Sequence, residues 1–99
     1  MMNSDNNYIS IILNTCSGRS SDKHTVTEFI AYLKTRSYNL QVNQTKSLQH
    51  ARSLAAEAAV KFNCSMVIVA GGDGTIREVV HGLEGSDKPL MLLPCGTEN

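Results

Sequence analysis

This chain is short of the features that would place it quickly. It has no tryptophan, and aromatic residues make up only 5% of it. Nine basic residues balance nine acidic ones, which removes the net field that draws a protein to nucleic acid or to an anionic membrane. No apolar run approaches the ~20 residues of a membrane span. The opening residues, Met1 to Asn7, are polar and carry neither the basic nor the apolar segment of a signal peptide. Three cysteines, Cys16, Cys64 and Cys95, are odd in number and widely spaced. That pattern argues against a disulfide framework and fits a reducing, cytoplasmic setting. Without a C-x-x-C pair, small apolar filler is a better reading of the three than a thiolate metal site.

What remains is an ordinary globular composition over 99 residues, enough for a single domain spanning 1–99 with a modest core. Apolar β-branched runs alternate with stretches of helical spacing. Tyr8–Leu13 reads as a first strand. A loop, Asn14 to Ser21, leads to a helix capped by Ser21 or Asp22 and running to about Arg36, with Val26, Phe29, Ile30 and Leu33 on one face. Leu40–Gln44 is a second strand. Ser47 caps a second helix whose stripe is Leu48, Ala51, Leu54, Ala55, Ala58 and Ala59, ending near Phe62-Asn63. Met66–Ala70 is a third strand, Thr75–His81 a third helix with Gly82 as its stop, and Pro89–Pro94 holds a fourth strand. Such alternation predicts an α/β fold: a three-layer, Rossmann-like parallel sheet with helices on both faces. Its ligand is expected beyond the carboxyl ends of the strands, where the loops after all four strands meet.

The most informative stretch is Met66-Val67-Ile68-Val69-Ala70-Gly71-Gly72-Asp73-Gly74-Thr75. A buried strand stops at glycines, a carboxylate and a hydroxyl, and a helical pattern follows. Glycine lets backbone approach a ligand closely, and amides at a helix start suit phosphate. A carboxylate inside an anion site makes sense when a divalent cation lies between it and the phosphates. The stretch therefore reads as a magnesium–nucleotide site. The plainer alternative makes Asp73 a turn residue capping the next helix.

Four ordered segments carry a family resemblance. Gly71-Gly72-Asp73-Gly74-Thr75 with the helix after it, Asn14-Thr15-Cys16-Ser17-Gly18, Thr45 with His50-Ala51, and Leu93-Pro94-Cys95-Gly96-Thr97-Glu98-Asn99 together resemble the catalytic domain of the diacylglycerol kinase family. That family includes sphingosine, ceramide and bacterial lipid kinases. The glycine motif alone is shared with NAD kinases and phosphofructokinases, but the first loop and the L-P-x-G-T segment favour the lipid kinases. The resemblance implies ATP and Mg2+ as cofactors and transfer of the γ-phosphoryl group to a lipid hydroxyl. Under it, Gly71, Gly72 and Gly74 approach the phosphates, Asp73 holds the metal, and Thr75 contacts phosphate or caps the helix. Asn14, Ser17 and Gly18 belong to a phosphate loop, Thr45 lines the nucleotide, and Gly96 and Thr97 close the pocket.

Two substitutions depart from the family pattern: Thr15 stands for its usual proline and Arg77 for the asparagine of bacterial members. The resemblance implies a second, β-rich domain that supplies the general base and that these 99 residues are not expected to include, so the fold is expected to be truncated, with no catalytic residue identifiable and no kinase activity of its own. A short, non-catalytic nucleotide binder is the competing reading. An uncovered cleft face predicts self-association. A lipid acceptor, rather than any anchor, implies peripheral membrane contact. Glu78, Arg77 and Lys88 read as solvated charges, with an orienting role for Glu78 and headgroup contact for the two cations as rivals. His24, His50 and His81 lack metal-ligand spacing.

Overall fold

The computed structural model describes residues 7–14 and 20–94. Seven elements follow one another as β1 (Tyr8–Asn14), α1 (Ser20–Thr35), β2 (Leu40–Thr45), α2 (Leu48–Val60), β3 (Cys64–Gly71), α3 (Asp73–Gly82) and β4 (Leu90–Pro94). The four strands pair in parallel in the order β2-β1-β3-β4. Strands this apolar stay ordered only when covered on both faces, and the sequence supplies both covers. Ile9, Ile11 and Ile68 point to one face and pack with Leu33 of α1, while Ile12, Val67 and Val69 point to the other and pack with Ala51, Ala55 and Ala58 of α2 and Val79 of α3. The three-layer α/β architecture is thus the one expected. No described helix is long and apolar enough to cross a membrane.

Element ends differ from expectation for local reasons. Ser21 and Asp22 lie inside α1, which begins at Ser20, so neither is its cap; polar and acidic residues are at home in a first turn. Helix α2 does start from Ser47, whose Oγ accepts the His50 amide at 3.0 Å. It stops at Val60 because residues 61–64 are needed for the turn closed by Cys64 N–H to the Lys61 carbonyl at 3.0 Å. Strand β3 is longer at both ends, since Cys64 pairs with Tyr8 and Gly71 with Pro94. Between them the register slips by one residue at Ser65, whose hydroxyl donates to the Tyr8 carbonyl at 3.1 Å. The two edges of the sheet differ: β2 carries Gln41, Asn43 and Gln44, whereas β4 is Leu90-Met91-Leu92-Leu93-Pro94 with Met91 and Leu92 exposed.

Helix α3 ends at Gly82, the stop expected there, though without a left-handed turn at that residue: the positive-φ glycine among the described residues is Gly85. A Cβ built on Gly82 would stand 2.5 Å from the Arg52 carbonyl oxygen and 2.7 Å from Ala55 Cβ. The glycine is there so that α3 can lie directly on α2. Gly82→Ala is accordingly expected to destabilise the chain by about 1–3 kcal/mol, read in thermal melts as a fall in Tm of at least about 4 °C. An unchanged Tm would mean that the two helices are not so closely apposed.

Candidate functional site

The strand register decides what meets at the carboxyl edge. Asn14 pairs with Thr45 across β1 and β2, Leu13 with Ala70 across β1 and β3, and Gly71 with Pro94 across β3 and β4. Asn14, Thr45, Gly71 and Pro94 therefore share one end of the sheet. From the central pair the chain leaves in opposite senses, β1 through α1 to the β2 side and β3 through α3 to the β4 side, with α1 and α3 on opposite faces. Divergence of this kind opens a crevice at the strand ends, where open α/β sheets bind their ligands.

Helix α3 starts in that crevice. Gly72 is its N-cap, with extended backbone (φ −86°, ψ −172°) and no side-chain cap. The first helical hydrogen bond runs from Ile76 N–H to the Gly72 carbonyl at 3.0 Å, so the amides of Asp73, Gly74 and Thr75 have no partner within the helix. Those donors and the positive end of the helix dipole make an anion-binding end. Asp73 and Thr75 occupy the first and third helical positions, not the cap, which corrects the capping roles weighed for both. Asp73 is exposed. Thr75 is 2% exposed, and its Oγ1 accepts a hydrogen bond from Asn14 Nδ2 at 2.8 Å.

The glycines of the motif are present for different reasons. A Cβ on Gly71 would meet the Thr75 side chain at 2.9–3.2 Å, a crowding that only glycine avoids. On Gly74 a Cβ would touch Leu48 at 3.5 Å, an ordinary contact. The fold therefore needs glycine at 71 and makes no such demand at 74.

Thr45 reaches the same edge but is fully buried, its hydroxyl donating to the Ser47 carbonyl (3.0 Å) and accepting from the Ser47 amide (3.3 Å). That exchange shapes the turn which starts α2. Ser17, Gly18, Gly96 and Thr97 lie outside the described residues, as do Thr15, Cys16 and Cys95. Cys64 is buried. Among the described residues no group of three or more His, Cys, Asp or Glu converges as a metal cage. Asp73 could hold a hard cation jointly with oxygens of a ligand, which is how magnesium is usually held beside phosphates.

Two polar contacts were not foreseen. Arg52 of α2 donates through Nε to Glu78 Oε1 at 2.8 Å, and its Nη2 lies 3.2 Å from His81 Nδ1, clasping α3 from the side. Glu78 is thus paired, and it shares an open cleft with Leu48, Gln49 and Arg52. The legible signal was the placement of Glu78 and His81 three residues apart on one helical face; the partner on α2 was not. Lys88 is likewise no free surface cation, since its Nζ donates to the Cys64 carbonyl at 2.8 Å. His24 pairs with Glu28 on exposed helix, and Arg77 is exposed.

The family is shown by comparison with known proteins. The diacylglycerol kinase catalytic domain model matches residues 8–99. Diacylglycerol kinases of Staphylococcus haemolyticus (strain JCSC1435) and Staphylococcus aureus (strain MRSA252) are 37% and 36% identical over 91 residues, 90% of this chain, and 27% and 29% of those proteins. A crystal structure of a diacylglycerol kinase from Bacillus anthracis str. Sterne superposes with a TM-score of 0.68 at 28% identity, covering 90% of this chain and 33% of that one. The chain belongs to the diacylglycerol kinase catalytic domain family. It spans between a quarter and a third of the length of these relatives.

The two glycines separate in a stability measurement. Gly71→Ala is expected to cost about 1–3 kcal/mol in urea unfolding, because Thr75 Cβ is part of a helix and cannot swing away. Gly74→Ala is expected to be neutral or to stabilise by up to about 1 kcal/mol, the usual gain of alanine over glycine inside a helix. Equal losses at both positions would contradict the distinction.

Proposed function

We propose that this chain is the nucleotide-binding part of an ATP-dependent lipid kinase. The observation that carries the reading is the uncapped start of α3 in the crevice, where position 74 is a glycine that the fold itself does not require. A glycine without a folding reason fits close approach by a ligand, and the surrounding donors fit phosphate. Family membership supports ATP as that ligand and a lipid hydroxyl, such as that of diacylglycerol, as the acceptor.

In this reading the amides of Asp73, Gly74 and Thr75 receive phosphate oxygens, and Asp73 would hold the Mg2+ that accompanies the nucleotide. The bound ion supplies neutralisation of the phosphate charge. Ser17 and Gly18 complete the phosphate loop, Thr45 backs the nucleotide through the turn it stabilises, and Gly96 and Thr97 form the remaining wall. During transfer the lipid hydroxyl oxygen bonds to the γ-phosphorus, the bond to the bridging oxygen breaks, ADP departs and the hydroxyl proton passes to a base. Positioning and charge neutralisation supply most of the catalysis in such a step, so a site made of amides, glycines and one carboxylate is adequate for its nucleotide half.

Titration of the labelled chain with Mg-ATP, followed by amide NMR, is expected to shift Gly72 to Ile76. Asp73→Asn should weaken Mg-ATP binding about tenfold and abolish its dependence on magnesium. Gly74→Ala should weaken it comparably while leaving the fold intact. Millimolar Mg-ATP that leaves these amides unmoved would overturn the reading. Phosphoryl transfer by the protein as its source makes it, assayed against diacylglycerol, a sphingoid base and NAD, tests the acceptor.

A further inference from the structure

We infer that Asn14 and Thr75 act as one positioning pair that sets the two halves of the nucleotide site against each other, rather than as two separate phosphate contacts. The inference rests on the nucleotide reading and refines it. The backbone pairing of β1 with β3 ends at Leu13 and Ala70. Beyond that point the two chains separate toward opposite faces of the sheet. The bond from Asn14 Nδ2 to Thr75 Oγ1, at 2.8 Å, joins them one residue past the end of the ladder. It ties the carboxyl end of β1 to the first turn of α3, whose amides face the crevice.

Two further observations make Thr75 a fixed partner. Its side chain is 2% exposed, so its hydroxyl cannot meet a ligand arriving from solvent while α3 stays in place. The backbone of Gly71 lies so close against it that a single added carbon would crowd three of its atoms, at 2.9, 3.1 and 3.2 Å. Gly71 thus holds Thr75 from one side, and Asn14 reaches it across the crevice. A buried, oriented hydroxyl with a donor delivered from another strand is suited to transmitting position. The phosphate itself is left to the backbone amides.

The two roles predict different arithmetic, and a double-mutant cycle on Mg-ATP affinity separates them. Calorimetric Kd values would be measured for the wild-type chain, Thr75→Val, Thr75→Ser, Asn14→Ala and the Asn14→Ala/Thr75→Val double variant. Valine keeps the volume of threonine and removes the acceptor, so that variant is expected to fold. Loss of the Asn14–Thr75 hydrogen bond should raise Kd about five- to tenfold in Thr75→Val, and Asn14→Ala, which removes the same bond, should raise it at least as much. The double variant should be no worse than Asn14→Ala alone, Thr75→Ser should remain within about twofold of wild type, and the Asn14 side-chain amide resonance should move in Thr75→Val but not in Thr75→Ser. Effects that multiply in the double variant would show two independent ligand contacts and overturn the pair. So would a Thr75→Val variant that binds as wild type does, or a Thr75→Ser variant as impaired as Thr75→Val. A wild-type chain that fails to bind Mg-ATP would instead remove the nucleotide reading, and this inference with it.

Discussion

Everything in this structure depends on β1 lying against β3. That pair supplies Ile11, Ile12, Val67, Ile68 and Val69, five of the largest fully buried side chains among the described residues, and it separates them onto two faces so that helices are needed on both. Because β1 feeds α1 on one face while β3 feeds α3 on the other, the same pairing that builds the core forces the chain apart at its carboxyl end. The crevice is a by-product of strand order, not a cavity carved by special residues. Once it exists, the side chains that meet there are dictated by register, and a register error of one residue would turn each strand's buried set outward.

The second constraint is how closely α3 lies on α2. An alanine-rich face on α2 and Gly82 on α3 bring the two backbones together, and Arg52 closes the exposed flank through Glu78 and His81. Pair energies at exposed sites are small, so the clasp adds direction more than stability. Its value lies in where it acts: α3 is the helix whose first turn faces the crevice, and rotation of its body would move those amides.

The sequence made the alternation of strands and helices legible because apolar periodicity and capping residues are local signals. Ser47 was read correctly as the cap of α2, since a cap acts within three residues of itself. The edge assignment followed too, because a parallel sheet must place all its post-strand loops together. What stayed hidden was contact between distant segments. Gly82 looked like a helix stop because glycine commonly is one; only the proximity of Arg52 and Ala55 reveals the steric reason. Asn14 and Thr75 are 61 residues apart, and each had a sensible role as a ligand contact when considered alone. Lys88 looked solvated until β3 delivered a carbonyl to it. Of the motif glycines, spacing treated all alike, while the packing divides Gly71 from Gly74.

The placement of β1 between β2 and β3 also has a bearing on the order of events during folding. Of these four strands, the one made before the others is enclosed on both sides, and its second neighbour is β3, not the strand that follows it in sequence. A nascent βαβ unit ending at β2 therefore holds one flank of β1 open until β3 has been made, and long-range pairing of this kind is slow. The junction that creates the crevice is the same late junction. A chain able to grip a ligand there has, by that fact, already closed its core.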